Sequence, residues 1–291
     1  MLFDRWMRVL VTGAAGNIGA AVCRCLAASG MRISALVLNA EQAARVEHAG
    51  RTVIGDAGDP AAVAEAIAGG VDAVVHLAAL RSPELGTPVE VFGGNTRATF
   101  VVLEEACRRG ARRAVIASSY SILGLRFSPH TLHPAYFPID EALPLQVEDP
   151  YSLSKQVDEA TAAMMHRRYG TDIVALRLPY TVGWPELEAM ARTCRADPAA
   201  MAADSWSYLH ADDAAEAVRL ALTRPVAGFH PVFLAAPRTM DPRPTAELIA
   251  AHHPGAEVRR AVAGHDTPID TSRIERLLGF HATRLLDIPP L

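Results

Sequence analysis

The chain has 291 residues, half of them apolar, 21% charged, and a formal net charge of -4 at pH 7. That length allows one substantial core with a smaller annex, and the acidic balance argues against nucleic-acid binding, which relies on a basic excess or stripe. Four cysteines are too few and too irregularly spaced for a disulfide framework, and Cys23 and Cys25, two apart on one helix, point in different directions and make a poor metal pair.

No apolar run reaches membrane-spanning length. Residues 1–7 contain Asp4 and Arg5 and lead directly into a strand, so they do not read as a signal peptide. The expectation is a cytoplasmic protein.

In chain order, short β-branched runs alternate with helical stretches, which predicts a doubly wound α/β fold of the Rossmann type with a parallel sheet. Strands are expected at 8–12, 33–38, 52–54, 73–77 and 113–117, with helices at 20–29, 41–49, 60–68 and 96–109 between them. Residues 125–150 break the rhythm with Pro129, Pro134, Pro138, Pro144 and Pro150, and read as a long irregular excursion. A helix at 150–169, a strand at 173–178, a helix at 212–222, a strand at 232–235 and helices at 245–251 and 272–278 follow. The expected organisation is a dinucleotide-binding domain of residues 1–178 plus about 209–236, with a discontinuous substrate region of about 179–208 and 237–291.

Gly13-Ala14-Ala15-Gly16-Asn17-Ile18-Gly19 follows the first strand and opens the first helix. In that context Gly13 allows a tight turn, Gly16 lets the backbone approach a diphosphate, and Gly19 lets the helix pack closely on the sheet. The diphosphate would face the free amides and positive dipole end of the helix. The adenosine end is open. Where an acidic residue is expected, near the end of the second strand, stands Val37; no Arg marks a 2′-phosphate either. Asn39 offers a bond to a ribose hydroxyl. Asp56 reads equally as a contact to adenine or as a turn residue in Gly55-Asp56-Ala57-Gly58. The cofactor reading is NAD or NADP, with a lean to NAD.

Tyr151 and Lys155 stand four apart on one helix face, and Lys155 is the only lysine among 28 basic residues. A fixed ammonium favours the phenolate over the phenol. Asp149 suits the N-cap and Pro150 the first helical position, so Tyr151 sits where the helix dipole also favours negative charge. Such a tyrosine can take a proton from an alcohol or return one to a ketone. Ser118 and Ser119 follow a strand, at the edge where open α/β sheets hold ligands. Arg81 reads either as a solvated loop charge or as a substrate-carboxylate contact, and Arg177 either as a structural ion pair or as such a contact. The His252-His253 pair and the His130/His133 spacing lack carboxylate or cysteine partners at ligand spacing, so no metal site is expected.

These pieces, with His76-Leu77-Ala78-Ala79, Asn95, Gly124 and His210-Ala211-Asp212-Asp213, resemble the extended short-chain dehydrogenase/reductases, the NAD-dependent epimerase/dehydratase family, over roughly residues 8–222. The resemblance selects Ser119, five before Gly124, as the hydroxyl partner of Tyr151 and Lys155. It implies cofactor contacts at Gly13, Gly16, Asn17, Ile18, Gly19, Asn39, Asp56, Ala57, Leu77, Ala78, Ala79, Tyr151, Lys155 and Pro179. It implies a structural role for Asn95, and a homodimer built on the helices at 96–109 and 150–169. Departures are informative. Nucleotide-sugar members carry an Arg before the Asp-Asp pair to hold the diphosphate; here that run is Trp206-Ser207-Tyr208. Sugar dehydratases follow the hydroxyl residue with Asp-Glu; here Tyr120-Ser121 stand there.

The chain therefore looks most similar to uronate dehydrogenase-like members, which implies hydride exchange with a secondary alcohol or ketone of a small polar, sugar-like molecule. Ser119, Tyr120, Arg81, Arg177 and Trp206 are its expected substrate contacts. An epimerase that retains its cofactor uses the same catalytic residues and stays open. A non-catalytic dinucleotide sensor, suggested by the run 36–41, is the alternative outside enzymes.

Overall fold

The computed structural model describes residues 7–288, so Asp4 and Arg5 lie outside the described residues. The first half runs β1 (Arg8–Thr12), α1 (Asn17–Ala28), β2 (Arg32–Val37), α2 (Ala40–Ala44), β3 (Arg51–Ile54), α3 (Pro60–Ala66), β4 (Ala73–His76), α4 (Pro88–Arg108) and β5 (Arg113–Ser119). After the short β6 (Tyr136–Phe137) come α5 (Pro150–Tyr169), β7 (Asp172–Leu178), β8 (Tyr180–Val182), α6 (Trp184–Ala196) and β9 (Tyr208–His210). The chain closes with α7 (Ala211–Thr223), β10 (Phe229–Phe233), α8 (Thr245–His252), β11 (Glu257–Val258) and α9 (Ser272–Leu278).

Seven strands form one sheet in the order β3-β2-β1-β4-β5-β7-β10, and every pairing within it is parallel. This is the doubly wound Rossmann arrangement expected from the alternating pattern. Pro231 lies in β10, the edge strand, where a missing N–H is tolerated. Alternate residues divide the sheet between two cores. Val9, Val11, Val75 and Val174 pack with Leu26 of α1 and Val218 of α7; Leu10, Val74 and Ile116 pack with Leu103 of α4 and Met165 of α5. A third core gathers Tyr120, Phe137, Trp206, Phe233, Met240 and Ile269, joining the 125–150 excursion to the later segments.

The boundaries differ where local chemistry does. Helix α1 starts at Asn17, earlier than expected, because extended Gly16 already accepts the Ala20 amide at 2.8 Å. Helix α2 leaves off at Ala44, with His48 in the left-handed region at φ 64°. Helix α4 starts at Pro88, eight residues before the expected position. Thr87 and Glu90 form a reciprocal capping box there, which satisfies two otherwise orphaned amides.

Candidate active site

The sheet order sets β1, β4 and β5 side by side, so the segments leaving their C-terminal ends share one rim. At β1 the chain turns through Gly13, which has φ 70°, a conformation L side chains rarely adopt. A Cβ there would stand 2.8 Å from the Ala78 nitrogen and 2.9 Å from the Leu77 carbonyl carbon. Gly19 lets α1 close on the end of β1: an added Cβ would meet the Gly13 oxygen at 2.1 Å and Ala14 backbone at 2.8 Å. Helix α1 has no side-chain cap at Gly16 and no acidic residue in its first turn. Exposed Gly16 and Asn17 therefore offer uncapped amides at a positive dipole end. This cradle fits a dinucleotide diphosphate, with Asn17 and Ile18 supplying amides.

Beneath the cradle, Thr12 Oγ1 accepts the Leu77 and Ala78 amides, each at 3.2 Å, and lies 2.8 Å from His76 Nδ1. His76 Nε2 lies 3.1 Å from Thr99 Oγ1 on α4. Burial, with Lys155 nearby, pushes the His76 imidazole down to about 3, so the ring is neutral. Ala79 is exposed beyond this buried pair. At the adenosine end, Asn39 caps α2 by accepting the Gln42 amide at 2.9 Å, and Asp56 takes the turn role, its Oδ1 accepting the Gly58 amide at 2.7 Å. Ala57 is buried beside it. Pro179 follows β7, and its carbonyl accepts from Thr181 Oγ1 at 2.8 Å.

Helix α5 brings the tyrosine and lysine to the rim. Asp149 accepts the Ser152 amide at 2.8 Å and Pro150 occupies the first turn, which fixes where Tyr151 enters. Tyr151 is 7% exposed, meets the Phe127 ring edge-on at 5.6 Å, and its hydroxyl has no protein hydrogen-bond partner among the described residues. The Lys155 ammonium stands 5.7 Å from the Tyr151 ring centroid. It donates to the Ala117 carbonyl of β5 at 3.0 Å and to Asp158 Oδ2 at 3.2 Å. Burial pulls the Lys155 pKa down, but Asp158, Tyr151 and Glu159 outweigh it and hold the ammonium above its ordinary value.

Two residues after Ala117, Ser119 Oγ accepts the Ser121 amide at 3.0 Å, which leaves its proton to donate elsewhere. Ser118 is committed: it donates to Glu159 Oε1 at 2.6 Å. Asn95 holds the loop after β4 by pairing with both the amide and the carbonyl of Leu80, at 2.8 and 2.9 Å, and it donates to Ser154 at 3.1 Å. Together these groups can hold a hydroxyl or carbonyl oxygen between a phenol and a serine, with an ammonium behind them.

Three expected substrate contacts are spent elsewhere. Arg177 is a buried ion pair, with Nε and Nη2 each 2.9 Å from the two oxygens of Glu159. Tyr120 is 1% exposed and its hydroxyl shares a 2.7 Å bond with Ser205. Trp206 is fully buried and gives its indole N–H to the Pro198 carbonyl at 2.7 Å. Arg81 differs: it is exposed on the loop after β4 and has no ion pair among the described residues. With Arg126 it acts on Tyr180, whose phenol burial and Glu186 otherwise push up. Arg126 pairs with Asp204 at 2.8 Å, and burial outweighs that pairing and lifts the Asp204 carboxyl to about 6. Glu159, Asp158 and Thr99 are additions that the sequence reading did not contain; the first two stand four and three residues beyond Lys155, a helical spacing that carried the signal.

The sequence model of the NAD dependent epimerase/dehydratase family matches residues 9–235. A uronate dehydrogenase of Pseudomonas syringae is 30% identical over 64% of this chain and 64% of its own length. One from Pseudomonas putida is 29% identical over 62% of this chain and 63% of its own length. The chain thus spans somewhat less than two thirds of these relatives. Among solved structures, a short-chain dehydrogenase/reductase superfamily protein of Agrobacterium tumefaciens with bound NAD superimposes with a TM-score of 0.71 at 25% identity, over 96% of this chain and 93% of that one.

Proposed function

Because this chain belongs to the NAD-dependent epimerase/dehydratase family, we propose that it exchanges hydride between a nicotinamide dinucleotide and a secondary alcohol or ketone of a small polar, sugar-like substrate. The observation that carries this reading is Tyr151 with an uncommitted hydroxyl beside the buried Lys155 ammonium, on the rim that holds the glycine cradle. When bound, the nicotinamide supplies the hydride acceptor or donor. Gly13, Gly16, Asn17 and Ile18 would hold its diphosphate, and Leu77, Ala78, Ala79 and Pro179 would flank the rest.

Tyr151 Oη takes the proton from the reacting hydroxyl, or returns it to the carbonyl in the reverse direction. Ser119 Oγ donates to the same oxygen and steadies it while the bond order changes. Lys155 favours the phenolate and offers an N–H to the nicotinamide ribose. Arg81, exposed and without an ion pair among the described residues, is the group best suited to a substrate carboxylate. The similarity to uronate dehydrogenases supports an acidic sugar, and the absence of arginine from Trp206-Ser207-Tyr208 supports a substrate without a nucleotide. NAD is favoured over NADP by the NAD-bound relative. We further propose a homodimer through α4 and α5, whose surface leaves Phe100 and Leu153 44% and 41% exposed.

The test follows absorbance of reduced nicotinamide with NAD or NADP and a panel of uronates, aldoses and polyols. Turnover with one cofactor, reduced about a hundredfold or more in Tyr151→Phe, is the expected result. Turnover unchanged in that variant excludes Tyr151 as the base. No net reduction with either cofactor, but interconversion of sugar epimers, transfers the site to an epimerase; neither activity leaves dinucleotide sensing.

A further inference from the structure

Lys155 does not stand alone under Tyr151. Its ammonium is fixed between the Ala117 carbonyl and Asp158 Oδ2, at 3.0 and 3.2 Å, and the two side chains of the pair are only 5% and 2% exposed. The other oxygen, Asp158 Oδ1, is buried without a hydrogen-bond partner in standard geometry, and the Thr99 hydroxyl acts on the same carboxylate. Hydrogen-bond direction can be followed from β1. Thr12 Oγ1 accepts two amides and so gives its proton to His76 Nδ1. That assigns the imidazole proton to Nε2, which donates to Thr99 Oγ1. A one-way chain of donors thus starts at the residue preceding Gly13 and runs to the Thr99 hydroxyl, which acts to lower the Asp158 carboxyl.

We propose that Asp158 is a positioning residue for the catalytic pair: its carboxylate pins the Lys155 ammonium against Ala117 and offsets part of the positive field that the ammonium casts on Tyr151. The proposal rests on the reading of Tyr151 as the acid/base. The charged and titratable groups around Asp158 are Tyr151, Lys155 and Glu159 on its own helix and His76 from β4. Arg177 of β7 is already neutralised by Glu159. His76 is neutral and Glu159 is paired with Arg177, so Asp158 is the carboxylate that bonds the Lys155 ammonium directly and opposes it most strongly. Replacing it by a neutral residue removes that opposing charge and stabilises the phenolate of Tyr151.

The experiment titrates cofactor-free protein by phenolate difference absorbance through the neutral to alkaline range, subtracting the same chain carrying Tyr151→Phe. Asp158→Asn is expected to move the Tyr151 midpoint to lower pH by roughly half a unit to one unit, and Asp158→Glu to bring it back toward the parent value. Asp158→Ala gives the same downward shift should the amide fail to pack. A midpoint that stays put in both neutral variants, or that moves equally in Asp158→Glu, overturns the proposal. With an active substrate in hand, the lower limb of the pH profile of kcat/KM shifts in parallel. A midpoint shift in a protein that turns over no sugar would refute the proposed activity while leaving the role of Asp158 intact.

Discussion

Arg177 carries the clearest lesson at the scale of single residues. Its guanidinium and the Glu159 carboxylate are 6% and 9% exposed and joined by two bonds, while Ser118 adds a third to the same carboxylate. Removing one member of such a pair leaves a buried charge with nothing to oppose it. Arg177→Ala is therefore expected to lower stability by about 3–5 kcal/mol, read as a shift of the urea midpoint. A change within experimental scatter would mean that water reaches Glu159. The sequence presented Arg177 with an ion pair as one of two open readings, and Glu159 sits at helical spacing from Lys155. Tyr120 and Trp206 were less accessible to that kind of reading. Their burial depends on the turn at Ser205 and Trp206, both with left-handed backbone at φ 50° and 53°, a conformation no side-chain pattern announces.

Helix α4 is the element on which pattern and structure diverge most. Gly93 and Gly94 stand just before the expected start at 96, and glycine in a helix costs up to about 1 kcal/mol relative to alanine, yet both lie inside an unbroken helix that starts at Pro88. The start is written instead in Thr87, Pro88 and Glu90, a cap, a first-position proline and an acidic third residue. Thr87→Ala is expected to cost about 1 kcal/mol of stability and to release protection first in the turn 88–91, as followed by amide exchange. Equal protection in both proteins would show that the glycine pair, and not the cap, limits the helix. Helix α5 was legible from end to end because Asp149, Pro150 and Gly170 mark both of its limits. Helix α1 shows the opposite use of a terminus: the missing cap is what leaves its amides available.

Across the whole molecule, the alternating β and α segments made the parallel sheet legible, since each strand must be returned by a helix. The third core was not, because it joins Tyr120, Trp206 and Ile269 across long sequence separations, and periodicity reports only local faces. The proposed dimer belongs to this scale as well. Phe92 and Phe100 of α4, and Leu153 and Val157 of α5, are exposed or half-buried. Phe100→Glu would set a charge in such an interface and is expected to halve the mass seen by light scattering while leaving the melting transition of the subunit nearly unchanged. A parent protein that already runs at the 31.1 kDa of one chain would dismiss the dimer.

The burial of Lys155 has a consequence outside the chemistry proposed for it. It is the chain's only lysine and is 4% exposed, while every other basic side chain that is not histidine is a guanidinium. The folded surface therefore offers acylating or aldehyde reagents no lysine amine, and tagging or cross-linking through that group requires the fold to open. Amine-directed labelling at Lys155 becomes a clock for unfolding, and under the proposed function the modification it records removes the ammonium beside Tyr151, so labelled molecules count themselves out of any activity measured afterwards.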